Sequence, residues 1–263
     1  MLIVTILEKI ISSKTKELKI LKSLNSIKDL ENKKLFEKQT FSLKERLELS
    51  RHGIIAEHKR KSPSKSIIND NIKLKNVIKG YNKANVCGIS VLTDHTYFGG
   101  SLKDLQEART MTSIPILRKE FIIDEYQIIE AKANGADIIL LIAACLNETE
   151  IKKLSELAKS IGLEVLIEIH NEKELEKCLI QSIDIIGVNN RNLKTFEVDL
   201  KTSINLSGLI PKEFTKISES GISSSIEINK LREYGYKGFL IGETFMKKKN
   251  PGGEVLDLIS KIK

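Results

Sequence analysis

The 263-residue chain has no tryptophan, only four prolines and only three cysteines. Cys87, Cys145 and Cys178 lie far apart, form no Cys-x-x-Cys pair and cannot make an even disulfide framework, so a reducing compartment is expected. No apolar run approaches the 18 or so residues of a membrane-spanning helix. The opening Met1–Leu7 is apolar but ends at Glu8 and Lys9, without a basic leader or a small-residue cleavage site. A soluble cytoplasmic protein is expected. His52, His58, His95 and His170 have no metal-ligand spacing, no Cys/His cluster accompanies them, and no Ser/His/Asp arrangement stands out. There is no Gly-x-Gly-x-x-Gly turn and no Gly-x-x-x-x-Gly-Lys loop.

What the chain does have is charge and aliphatic residues: 30% charged, 41% hydrophobic, a formal net charge of +8 and a pI near 9.2. That excludes a disordered composition and leaves an anionic partner open. From Leu7 to about Leu49 the pattern is helical and lysine-rich, with Ile10, Ile11, Leu18, Leu21 and Leu24 at three- and four-residue spacings. Ser42 and Glu45 stand in capping-box relation. Residues 1–50 therefore read as an N-terminal helical extension.

After Gly53, short β-branched runs alternate with amphipathic stretches. Strands are predicted over Ile54–Lys59, Ile89–Thr93, Pro115–Lys119, Ile138–Ile142, Glu164–Ile169, Ile185–Asn189, Lys216–Glu219 and Phe239–Gly242, and helices over Asp124–Asn134, Glu148–Ser160 and Glu172–Leu179 among others. Steps of roughly 20 to 35 residues between strands are the βαβ signature of a parallel sheet. Runs such as Ile138–Ile142, apolar without alternation, fit strands buried on both faces. Eight units point to an α/β fold of the (β/α)8 TIM-barrel type, residues 1–263 forming one barrel domain, with a doubly wound open sheet as the rival.

In a barrel the reacting groups lie at the C-terminal strand ends. Glu57 and Lys59 share a face of strand one, Leu117, Lys119 and Phe121 of strand three, and Asn189 and Arg191 of strand six. Glu168 is a carboxylate embedded in the apolar run Leu166–Ile169, expensive to bury unless paired or functional. His170 shares its face at the strand's edge, where a minor role stays open, whereas His58 points away from Glu57 and Lys59 and reads as packed. Strands seven and eight end in Ser218-Glu219-Ser220-Gly221 and Leu240-Ile241-Gly242-Glu243; glycines at these two places favour a phosphate cradle. Lys247–Lys249 reads as a solvated loop.

These segments resemble those of the indole-3-glycerol-phosphate synthase family. The residues that carry the resemblance are Ile-Ile-Ala-Glu-His-Lys-Arg-Lys-Ser-Pro-Ser (54–64), Leu-Thr-Asp…Tyr-Phe-Gly-Gly-Ser (92–101), Pro-Ile-Leu-Arg-Lys-Glu-Phe (115–121), Leu-Ile-Glu-Ile-His (166–170), Gly-Val-Asn-Asn-Arg-Asn-Leu (187–193), Ser-Glu-Ser-Gly-Ile (218–222) and Leu-Ile-Gly-Glu-Thr-Phe-Met (240–246). The resemblance spans essentially the whole chain. It implies closure of an indole ring in tryptophan biosynthesis, with loss of carbon dioxide and water and with neither cofactor nor metal. It also implies roles: Lys119 as the acid at the ketone oxygen, Glu168 as the base, Glu57 as a second essential glutamate, and Lys59 at the substrate's anionic groups. Asn189 and Arg191 would orient the substrate and Phe121 would line the aromatic pocket. Ser62, Ser220, Gly221, Leu240, Gly242 and Glu243 match substrate- and phosphate-contact positions. Lys59 and Lys119 are expected to depress each other's pKa. The Glu243 side chain, standing where some members have serine, is expected to turn away from the phosphate. Ser66 stands where the family usually has glycine, in a loop expected to move over the site.

The implied partner is a small anionic phosphosugar, with no nucleic acid and no membrane, and the chain is expected to be a monomer. The enzyme alternative is another phosphate-binding barrel such as phosphoribosylanthranilate isomerase, for which Cys87 and Cys145 are poorly placed. The non-enzyme alternative is a polyanion binder, against which stands the lack of aromatics interleaved with the basic residues.

Overall fold

The structure, a computed structural model, describes residues 5–63 and 67–263. Residues 64–66, Ser66 among them, lie outside the described residues.

Eight parallel strands close into a barrel in chain order: β1 (Ile54–His58), β2 (Gly88–Leu92), β3 (Ile116–Lys119), β4 (Ile138–Ile142), β5 (Glu164–Ile169), β6 (Ile185–Asn189), β7 (Thr215–Glu219) and β8 (Gly238–Ile241). β8 pairs back onto β1 through Ile54 opposite Phe239. Helices connect successive strands, so this is the (β/α)8 architecture and not the open sheet. Alternation divides each strand. Ile54, Ala56, Ile139, Leu141, Val165 and Ile167 face outward into the layer shared with the helices, while Ile55, Leu117, Leu140, Leu166, Ile185, Ile217 and Leu240 fill the barrel's centre. Both sets are fully or almost fully buried, which accounts for the uninterrupted apolar runs.

The predicted continuous helical stretch is three helices: α1 (Ile6–Leu24), α2 (Ile27–Glu31) and α3 (Leu43–Leu49). α1 stops because Asn25 is extended and Ser26 starts the next helix, its hydroxyl accepting from the Asp29 N–H while Asp29 bonds back. Residues 32–42 form turns and extended chain. The capping box expected at Ser42 is half present. Its hydroxyl accepts from the Glu45 N–H, and the carboxylate that completes this cap is Glu164, the first residue of β5, which bonds the next two N–H groups. Glu164 accepts from the Ser42 hydroxyl and from the Leu43 and Lys44 N–H groups at 2.8 and 3.1 Å. This clamp seats α3 beneath the barrel, where Leu43 and Leu47 join the central layer with no exposed surface. Glycines make room for them: a Cβ at Gly88 would lie 2.7 Å from Leu43 Cδ1, and one at Gly238 would lie 3.0 Å from Leu47 Cδ2. The helix predicted over Glu172–Leu179 ends at Glu176. Among the described residues no helix is long and apolar enough to cross a membrane.

Candidate active site

The alternation that buries Ile55, Leu117, Leu166 and Ile217 carries the next inward position to the C-terminal rim. Glu57, Lys119, Glu168 and Glu219 thus stand directly above the apolar layer. Neighbouring strands hold them in register: Glu57 is opposite Ser90, Ile142 opposite Glu168, and Asn189 opposite Glu219. With Lys59, Ser62, Phe121, Asn189, Arg191, Ser220, Gly221, Leu240, Gly242 and Glu243, they line one cavity of about 370 Å³. Every residue that the resemblance assigns to the site is in that wall, and His170 is not.

The chemistry of this cavity centres on Lys119. Its ammonium donates to Glu168 Oε2 at 3.2 Å and makes a shorter contact with Glu219 Oε2. Glu57 forms a second pair with Lys59 at 2.7 Å and accepts from the Ser90 hydroxyl at 3.2 Å. Burial alone would push the Lys119 pKa down, but the carboxylates of Glu219, Glu168 and Glu57 outweigh it and raise the pKa well above its ordinary value. The expected depression by Lys59 is therefore overturned: three anions stand closer in effect than one cation. Burial would also raise Glu57 and Glu168, yet Lys59 and Lys119 hold Glu57, and Lys119 and His170 hold Glu168, below the usual carboxylate range. Glu219 goes the other way. Burial and the neighbouring Glu168 overcome Lys119, and its carboxyl is pushed up to about 7. Its second oxygen, Oε1, has no hydrogen-bond partner. Space for that oxygen comes from Gly187 on β6, where a Cβ would lie 2.5 Å away.

Asn189 donates to Glu168 Oε1 at 3.1 Å and accepts the Arg191 N–H at 3.0 Å, so one side chain orients the carboxylate and the chain leading to the guanidinium. Arg191 donates to the Phe196 carbonyl at 3.1 Å and lies 3.9 Å from Glu243, which itself pairs with Lys247 at 2.6 Å. Glu243 thus keeps its side chain at this rim, between two cations, instead of turning away. Lys247 lines the cavity too, so the Lys247–Lys249 run is not wholly a solvated loop. Ser220 and Gly221 both have positive φ, 67° and 77°. Ser220 holds that conformation because the Asn190 amide donates to the carbonyls of Glu219 and Ser220 at 3.0 and 3.1 Å. Gly242 is a close approach: a Cβ there would meet Glu57 Oε1 at 2.5 Å.

The opposite wall is apolar. Phe98 and Phe121 lie 6.0 Å apart between ring centres, with Leu92, Leu140 and Ile142 below and Ile6, Leu7 and Ile10 contributed by α1. α1 is tied to this wall by Lys14, buried at 3% exposure and paired with Asp94 and Glu120, each at 3.2 Å. Asp94 caps the turn that carries Phe98, and Glu120 accepts the Phe121 N–H at 2.9 Å. The cavity therefore has lysine and arginine side chains at its rim, a charged centre and an aromatic wall. Among the described residues no group of His, Cys, Asp and Glu could hold a metal ion.

The family model for indole-3-glycerol phosphate synthase matches residues 7–258. The chain belongs to the indole-3-glycerol phosphate synthase family. An indole-3-glycerol phosphate synthase of Bacteroides thetaiotaomicron is 44% identical over 257 residues, 98% of each chain. One from Caldanaerobacter subterraneus subsp. tengcongensis is 43% identical over 98% of this chain and 99% of its own. Among solved structures the barrel resembles 3-hexulose-6-phosphate synthase from Salmonella typhimurium, with a TM-score of 0.63, 14% identity and coverage of 80% and 98%. It also resembles a tryptophan synthase alpha-subunit from Pyrococcus furiosus, with a TM-score of 0.61, 14% identity and coverage of 80% and 97%. These two show the fold.

Within the synthase family frame, the structure adds residues that sequence reasoning passed over. Glu219 is as central as Glu168, yet it sits inside Ser-Glu-Ser-Gly, which reads as a turn; its signal was its place on the inward face of a strand, two after Ile217. Asn190 points away from the cavity and acts through the backbone of the β7 loop. His58, read as packed, is 1% exposed, and burial, with Arg60, pushes its pKa down to about 4. Cys145 lines no part of the cavity, and burial pushes its thiol up to about 12.

Proposed function

We propose that the chain closes the indole ring of 1-(2-carboxyphenylamino)-1-deoxyribulose 5-phosphate, giving indole-3-glycerol phosphate, carbon dioxide and water. It is on this reading a carbon–carbon lyase of tryptophan biosynthesis. Family membership supports the activity, and the observation that carries the mechanism is the Lys119 ammonium held between two buried carboxylates at the mouth of the barrel.

The aryl group packs on Phe98 and Phe121, and the phosphate lies toward Arg191, Ser220, Gly221 and Gly242, with Lys59 and Lys247 supplying further positive charge. The ring carbon bearing the carboxylate attacks the ketone carbon. Negative charge grows on the ketone oxygen, and Lys119 donates a hydrogen bond and then a proton to it. With its pKa raised, Lys119 alone is a weak acid. Glu219, titrating near neutrality in direct contact with it, restores that proton and makes the pair an acid at physiological pH. The carboxylate then leaves as carbon dioxide, its bonding electrons restoring the aromatic ring. In the last step a second proton converts the new hydroxyl to water, with Lys59 and Glu57 assisting. Glu168 takes the proton from the carbon beside the nitrogen as the indole double bond forms.

The chain has no tryptophan, so growth of indole fluorescence can be followed against a low background. Wild-type protein with this substrate is expected to give the indole signal and release one carbon dioxide per indole formed. Lys119→Ala and Glu168→Gln are each expected to lower kcat by about 10²–10⁴-fold. A folded wild type that gives no indole signal refutes the reading.

A further inference from the structure

Glu168 has a third neighbour besides Lys119 and Asn189. His170, two residues on along β5, brings Nε2 to 3.4 Å from Glu168 Oε1, while its Nδ1 lies 3.0 Å from Glu174 Oε2. Glu174 is fixed for this purpose. Its Oε2 also accepts the His170 N–H at 2.8 Å, and its Oε1 accepts from the Asn171 amide at 2.8 Å. The imidazole is buried, and Nε2 has no hydrogen-bond partner. At 3.4 Å the Nε2 atom is within ion-pair range of Glu168 Oε1. The row Glu168, His170, Glu174 runs outward from the base, with side-chain exposures of 5%, 12% and 15%.

The reaction proposed above leaves a proton unaccounted for by the catalytic groups. Two protons go in, one to the ketone oxygen and one to the departing hydroxyl, and one comes out, to Glu168. The substrate carboxylate leaves as neutral carbon dioxide, so each turnover consumes one proton from solvent. In the absence of a route, that proton must cross the occupied cavity.

We propose that His170 is the route: it passes a proton from the Glu174 side to the Glu168 carboxylate, from which the Lys119–Glu219 pair is recharged, while Glu174 orients the ring. This rests on the synthase reading. His170 touches no reacting atom; it is a positioning and proton-transfer residue that works through Glu168. In each transfer Nδ1 takes one solvent proton beside the Glu174 carboxylate, Nε2 gives one to a Glu168 oxygen, and the ring, left as the Nδ1–H tautomer, resets by tautomer exchange before the next turnover. The charged groups around the imidazole are Glu168 on its own strand, Glu174 on the helix Glu172–Glu176, and Glu219 on β7. Cys145, after β4, and Lys177 stand near the same carboxylates. Burial would lower the imidazole pKa, but Glu174 and Glu168 outweigh it and raise the pKa above its ordinary value.

The test is the pH profile of kcat, at saturating substrate, for wild type, His170→Gln and Glu174→Gln. In His170→Gln we expect KM within two-fold of wild type and kcat lower by about ten-fold near neutral pH. We also expect loss of the imidazole limb from the profile and partial rescue by added imidazole. Glu174→Gln, a change nearer the surface, should move that limb to lower pH. An unchanged His170→Gln profile overturns the proposal, as does a pH-independent loss that imidazole does not rescue. A wild type that makes no indole product overturns the synthase reading and the relay with it. A working wild type beside an indifferent variant overturns the relay alone.

Discussion

Replacing Glu219 by Gln isolates an active-site carboxyl whose pKa the fold raises. In the unfolded chain this group titrates near 4.5, and in the barrel at about 7, because burial and Glu168 outweigh Lys119. A raised pKa means that the native state holds a proton the unfolded state has released. The stability from that proton is fully present below pH 4.5 and is lost as pH rises through 7. At about 1.4 kcal/mol per pH unit, the interval amounts to about 3 kcal/mol. Urea unfolding of wild type and Glu219→Gln, followed by circular dichroism from pH 4.5 to 8.5, gives the quantity directly. The excess stability of wild type over variant should fall by about 3 kcal/mol across that range, whatever constant offset the loss of the Lys119 contact adds. Glu168, in the same charged cluster, shifts with the substitution, while carboxylates away from the cavity titrate alike in both proteins and drop out of the difference. Two parallel stability–pH curves would refute the placement of Glu219 as a proton-holding group, and with it the account of Lys119 as a usable acid.

Lys14→Met leaves Asp94 and Glu120, both nearly fully buried, without their shared cation. It should destabilise the fold by about 3–5 kcal/mol in urea unfolding and raise KM, since both carboxylates hold the Phe98–Phe121 wall. Gly187→Ala places a methyl 2.5 Å from Glu219 Oε1 and displaces that carboxyl; kcat should drop by about a hundred-fold with an unchanged circular dichroism spectrum. Leu47→Ala, beneath the barrel and far from the chemistry, should cost about 2–4 kcal/mol in unfolding free energy and leave KM alone.

The barrel is legible in the sequence because its strands are buried on both sides. Ile138–Ile142, Glu164–Ile169 and Ile185–Asn189 have the predicted bounds, and the other five differ by a residue at one or both ends. Lys119, Glu168 and Asn189 were readable for the same reason, since a polar residue on the inward face of an apolar strand is conspicuous. Lys14 was not readable. On a helix crowded with lysines nothing marks it until Asp94 and Glu120, far along the chain, fold onto it. The break at Asn25 did leave a sign, Ser26 with Asp29 three residues later, but the lysine-rich periodicity on either side conceals it. Glu164 as the cap of α3 has no local sign, because the helix and its capping carboxylate are over a hundred residues apart.

The plug formed by Leu43 and Leu47 has a consequence for the order of assembly. It is made by the ribosome before any strand exists, yet its seat includes Gly88 on β2, Glu164 on β5 and Gly238 on β8. During synthesis these leucines must wait, apolar and unhoused, while about 190 further residues emerge. Closing the floor is then a long-range event, and long-range closures are slow because the loop entropy is lost before the contacts form. A rearranged chain that begins at β1 and carries the plug after β8 would meet a finished seat. It should reach the native state with less delay and less aggregation than the chain in its natural order.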